Sequence, residues 1–188
     1  MSVLRDLGSY LPEHVRPFAE LLKQFPANYE KWVHATSLPA ELYQGDVVEN
    51  AVLTAIDEAG DILRLDLPAM VISCTCDVQP KQGEFALLAP AIDLDFYRAN
   101  SELEGDALDS HMNMLMANKI ANLFFLPAGQ KLKASVIDFQ QLTSVSVDLL
   151  HKSVEKRLTS LSQTGHYLLL VKLTHHLTRP DAADAKRQ

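Results

Sequence analysis

Residues 41–78 read "ELYQGDVVENAVLTAIDEAGDILRLDLPAMVISCTCDV", and the rhythm of this stretch decides the fold. "VVENAVLTAI" (47–56) predicts a strand with a bend, and "MVISCT" (70–75) is the continuous apolar run of a central strand. Between them lie the turn signal "DEAG" (57–60) and a break at Pro68. A third run, "GEFALLAPAI" (83–92), is expected to stop at Pro90. Three short strands at close spacing predict a small antiparallel barrel.

Helical patterns flank this core on both sides. "PEHVRPFAELLKQF" (12–25) opens on Pro12 and Glu13 and sets Val15, Phe18, Leu21, Leu22 and Phe25 on one face. A short piece around Trp32 and Val33 follows, and Pro39 marks a join. Residues 1–40 therefore read as a helical N-terminal extension of a domain spanning 41–180. Residues 94–121 are acidic, then Met-rich, with Met112, Leu115, Met116 and Ile120 at helical spacing, which predicts a helical insertion packed through gap-filling side chains. Strands resume at "NLFFLP" (122–127) and "KASVIDFQQLTSVSVDL" (133–149). Ser162 is placed to cap a closing helix that ends before Pro180, and residues 181–188 read as a flexible tail. The fold class is mainly β with helices, α+β.

Composition narrows the function classes. The chain has 188 residues, 47% hydrophobic and 22% charged, as a folded globular domain requires. No run approaches the ~20 apolar residues of a membrane helix. The N-terminus lacks a signal-like apolar core, so a cytoplasmic protein without a membrane partner is expected. Two cysteines form no disulfide framework. The net charge of −7, from 24 acidic and 17 basic residues, opposes general nucleic-acid binding. The basic run "HKSVEKRL" (151–158) reads as a solvated face.

The order of the segments resembles the MazF/PemK family of toxin-like, SH3-like barrels, related to CcdB. "GDVV" (45–48) is similar to the family's first-strand opening, and "LPAMVIS" (67–73) to its Arg-Pro-apolar strand. "EFALLAPAID" (84–93) resembles the strand ending in Ala-Pro-Ile-Thr. "DFQQL" (138–142) resembles the later Asp-Gln-apolar stretch, and 158–177 the closing helix. The resemblance spans about 42–178, with 94–121 as an insertion. It implies a homodimer, and in active members a metal-independent ribonuclease without cofactor.

Two positions depart from that chemistry. The family's catalytic arginine falls on Leu67, which carries no charge to stabilise a phosphate transition state. Its threonine or serine falls on Asp93, a carboxylate that repels phosphate. The resemblance therefore implies a catalytically degenerate barrel that binds a protein or, through a restricted patch, RNA, in a toxin–antitoxin or phage-defence setting. The alternative is a nuclease with a rebuilt site, using Arg64 with Asp77 or Asp93 in catalytic roles.

The residues suited to a rebuilt or binding surface are Tyr43, Gln44, Asp46, Thr75 and Cys76, at strand ends where barrel loops form pockets. Asp46 and Asp77 form a candidate carboxylate pair; the plainer reading has Asp46 capping a turn. Cys74 and Cys76 on a strand would share a face about 7 Å apart, too far for a disulfide and without the partners of a zinc site. Cys74 is then a packing residue. Cys76 as a nucleophile would need a histidine base, for which His111, His151 and His166 are candidates.

Overall fold

A computed structural model describes residues 33–38, 40–56, 58–129, 131–152 and 156–178. The expected helix at 12–25 and the tail at 181–188 lie outside the described residues. The chain order is β1 (Val47–Ile56), β2 (Ile62–Val71), β3 (Phe85–Asp93), α1 (Leu94–Ala99), α2 (Gly105–Met116), β4 (Leu123–Leu126), β5 (Ser135–Asp138), β6 (Thr143–Ser146), α3 (Val147–His151), β7 (Arg157–Thr159) and α4 (Gln163–Thr178).

The strands form one antiparallel sheet in the order β4-β5-β3-β2-β1-β7, with β6 also paired to β3. This sheet curls into a half-barrel. Thr143 Oγ1 donates to Thr54 O at 2.9 Å, drawing β6 toward β1 across the curl. The chain is thus α+β, with four helices among the described residues.

Central strands are apolar on consecutive positions because both faces of the sheet are covered. Val48, Ala69, Val71 and Leu88 belong to the barrel interior with Val145 and Leu150. Their neighbours Val47, Met70 and Ala89 face the opposite way, into a second core with Phe124, Ile137, Leu168 and Leu169. A one-residue slip would exchange the two sets.

Neither proline ends its strand. The bend expected in β1 is a bulge between Val48 and Ala51, with Asn50 at φ 52°. Pro68 lies just before Ala69, where the β2–β3 ladder begins, so its missing amide leaves no ladder bond unmade. Pro90 lies where β3 changes partner on one edge, from β6 at Phe85–Leu88 to β5 at Ala91–Asp93. Its missing N–H falls in the gap.

Residues 94–121 carry α1 and α2 between β3 and β4. Met112 and Leu115 turn into the core, while Met114 and Met116 are exposed. The two helices are tied by Arg98 Nη2 to Asp109 Oδ1 at 3.0 Å and by Tyr97 OH to His111 Nε2 at 3.0 Å. Burial, with the Asp138 charge second, pushes the Tyr97 phenol up. In α4, Ser162 Oγ accepts from Gly165 N at 3.1 Å, as its capping role requires.

Candidate functional site

A groove of about 700 Å³ opens beside β2, β3 and the 131–135 segment. Leu67 and Asp93, the two positions singled out by the family resemblance, both line it. Its walls are apolar: Leu65, Pro68, Phe96 and Leu132 stand beside them. Phe96 is 63% exposed and Leu65 37%, so the apolar surface is accessible from solvent.

Asp93 is already committed. Its Oδ1 caps α1, accepting from Asp95 N at 2.9 Å and Phe96 N at 3.2 Å, and its Oδ2 lies 3.2 Å from Lys133 Nζ. The Phe96 amide chiefly holds its carboxyl below the usual range against the opposing effect of burial, with the Lys133 ammonium and the Asp95 amide adding to the lowering. Asp93 is therefore ionised in neutral solution and serves the helix start. Arg64 does not line the groove. Its guanidinium is 69% exposed, 3.6 Å from Asp66 Oδ1 on the same hairpin.

A second, polar cleft of about 370 Å³ gathers Tyr43, Gln44 and Thr75 with Ser160, Ser162 and His166. Gln44 organises it. Its amide N–H donates to Thr75 Oγ1 at 3.1 Å and its Nε2 to Ile72 O at 2.6 Å. Its Oε1 meets His166 Nε2 at 3.0 Å, which assigns the ring proton to Nε2. Burial pulls the His166 imidazolium down, favouring this neutral tautomer.

Asp46 is held apart from solvent, 0% exposed. Its Oδ2 accepts from Arg157 Nη1 at 2.6 Å and from Tyr43 N at 3.0 Å, and its Oδ1 from Ser160 Oγ at 2.5 Å. Asp46 N also donates to Tyr43 O at 3.1 Å, and the Tyr43 N bond to Oδ2 makes this carboxylate the cap of the 43–46 turn before β1. Arg157 is the correction to the basic run 151–158. It is buried, in β7, and its Nη1 also reaches Glu41 O at 2.6 Å.

The cysteines are placed differently from the strand reading. β2 ends at Val71, and Cys74–Asp77 form a turn closed by Asp77 N to Cys74 O at 3.0 Å. Both cysteines are exposed, so Cys74 is not a packing residue. Their sulfurs are 3.1 Å apart. Cys76 also donates to Asp77 Oδ1 at 3.5 Å. The bond to Cys74, then the Asp77 carboxylate, pushes the Cys76 thiol up to about 11, the opposite of an activated nucleophile. The proposed base histidines are engaged elsewhere: His111 with Tyr97, His151 with Val78 O at 2.7 Å, and His166 with Gln44. Among the described residues no group of three His, Cys, Asp or Glu side chains converges in a metal-holding arrangement, and no helix is long and apolar enough to cross a membrane.

Sequence reasoning pointed to Tyr43, Gln44 and Thr75 but not to Ser160 as their neighbour. Leu65, Phe96 and Lys133 were likewise silent: an exposed leucine or lysine carries no signal until the strands bring it beside a cavity. No protein-family model matches this chain, and no curated protein matches it.

Proposed function

We propose that this protein is a non-catalytic binding module of MazF/PemK-like type, whose groove takes up apolar side chains from a segment of a partner protein. One observation carries the reading. The groove that holds Leu67 and Asp93 is walled by leucine, proline and phenylalanine where phosphoryl chemistry would need a catalytic cation, and its two lysines stand at the rim, Lys133 beside Asp93. Its carboxylate is bound to a helix start and a lysine. Apolar walls with a few fixed polar groups are the usual lining of a recognition site.

The net charge of −7 and the carboxylates of Asp93 and Glu49 at the groove favour protein over RNA. Lys131 and Lys133 at the same rim suit acidic residues flanking the inserted apolar side chains. A homodimer in a toxin–antitoxin or phage-defence system is the setting that the segment order suggests. The nuclease alternative is disfavoured by Arg64, which is paired to Asp66 and does not line the groove.

The test compares wild type with Leu65→Glu and Phe96→Ser, both partly exposed positions whose replacement leaves the core intact. A partner recovered with the wild-type protein from its source cells is expected to be lost with either variant. Recovery of the same partner at the same level by all three proteins removes the groove from the interaction. RNA as ligand would show as an affinity that falls steeply with salt; a flat response eliminates it.

A further inference from the structure

The groove leaves the two cysteines unexplained. They are the only two in the chain, yet they stand exposed with their sulfurs 3.1 Å apart. We propose that Cys74 and Cys76 are a reversible thiol–disulfide modification site, closed by exchange with a small-molecule disulfide of the glutathione disulfide class.

The turn makes this chemistry accessible. On an extended strand the two side chains would sit about 7 Å apart along the rise. In the Cys74–Asp77 turn they are brought within about 1 Å of the ~2.05 Å bond length. The turn is also held in place. Thr75 Oγ1 accepts from Gln44 N, and Gln79 Nε2 donates to Thr75 O at 3.2 Å and to Leu42 O at 2.8 Å. Val78 is buried in the barrel interior, and its carbonyl accepts from His151. A thiol fixed beside its partner resolves a mixed disulfide faster than a free thiol from solution.

The order of attack follows from the hydrogen bond. Cys76 is the S–H donor and Cys74 the acceptor, and the adjacent Asp77 carboxylate favours keeping the proton on Cys76. Cys74, as thiolate, attacks one sulfur of glutathione disulfide, breaks its S–S bond and expels one glutathione thiolate. Cys76 then gives up its proton to the first glutathione thiolate and, as thiolate, attacks the Cys74 sulfur of the mixed disulfide, breaking its S–S bond. A second glutathione leaves. Two protein thiols lose two electrons in total, and one glutathione disulfide is reduced to two glutathiones. An exposed disulfide is of the labile kind, so a thiol reductant reverses the step.

Closure also reaches the polar cleft. Thr75 lies between the two cysteines, and its hydroxyl is the cleft wall bonded to Gln44, which in turn holds His166. Drawing Cys76 onto Cys74 shifts that wall.

The experiment uses the full chain incubated with glutathione disulfide, read by thiol titration, intact mass and His166 ring NMR signals. Wild type is expected to lose both thiols with no glutathione mass retained, and dithiothreitol restores them. Cys76→Ser is expected to accumulate one stable glutathione adduct on Cys74, while Cys74→Ser reacts more slowly. Wild type that keeps both thiols, retains glutathione or forms covalent dimers overturns the proposal. Equal adduct rates in the two variants overturn the order of attack, and His166 signals unchanged on oxidation overturn the link to the cleft. None of these readouts needs a partner, so the outcome is independent of the groove's function.

Discussion

Replacing Asp46 by Asn isolates the charge in the buried knot from its shape. The carboxamide can keep its oxygen toward Arg157 Nη1 and Tyr43 N, donors that cannot accept. Its Nδ2 then faces Ser160 Oγ, and a hydroxyl can turn to accept. Hydrogen bonding is largely conserved, and what is lost is the carboxylate charge 2.6 Å from a guanidinium that is 5% exposed. Breaking a buried pair on one side costs about 3–5 kcal/mol, because the remaining buried charge loses its closest opposite charge. For a domain of this size, that lowers Tm by roughly 6–20 °C at about 2–4 °C per kcal/mol. Urea denaturation followed by circular dichroism measures it. Adding Arg157→Met to Asp46→Asn removes the buried guanidinium as well as its carboxylate, so the double variant is expected to be more stable than Asp46→Asn alone. An Asp46→Asn penalty under about 1 kcal/mol would refute the reasoning, since that is the range of a solvated ion pair. It would return Asp46 to the role of an accessible ligand-binding carboxylate.

Other consequences are equally measurable. Lys172 is buried on α4 with Nζ bonded to Asn118 O at 2.9 Å and to Ile120 O, and desolvation pulls its ammonium down to about 7. The unfolded chain holds that proton up to its ordinary value near 10.5. The destabilisation is therefore complete below about pH 7 and fades as pH rises toward 10.5, by at most about 5 kcal/mol. The stability difference between wild type and Lys172→Met should follow this trend in urea titrations from pH 6 to 10; a pH-independent difference contradicts it. Gly83→Ala puts a Cβ 2.0 Å from Asp77 O, so the cysteine loop must open, at about 1–3 kcal/mol. Thermal melting checks the loss, and an unchanged Tm would show the loop to be loose. Gly45 sits at φ 92° with Leu161 Cδ1 2.5 Å from an added Cβ, so Gly45→Ala should be destabilising through both strain and contact; wild-type stability would contradict that geometry.

The half-barrel was legible where both sheet faces are covered, because "VVENAVLTAI" and "PAMVI" are apolar on successive positions. The bend in β1 was legible too, although Pro68 and Pro90 suggested breaks that the start of the β2–β3 ladder and the partner switch absorb. What sequence could not carry was pairing at a distance. Arg157 reads as one more base in a solvated run until β7 delivers it to a carboxylate 111 residues away. Gln44 and His166 are 122 residues apart and meet only when α4 folds back on the first turn. Tyr43, Gln44 and Thr75 were singled out as strand-end residues, and they do share a cleft. Cys74 and Cys76 were misread through one assumption, that the strand continued past Val71.

The non-catalytic reading rests on Leu67 and on the paired states of Asp93 and Arg64. It is tested most directly by incubating the purified protein with RNA in EDTA and following strand cleavage over time. Intact RNA is expected with the wild-type protein and with Arg64→Ala alike. Cleavage by wild type that Arg64→Ala abolishes would contradict it and make the site a rebuilt nuclease.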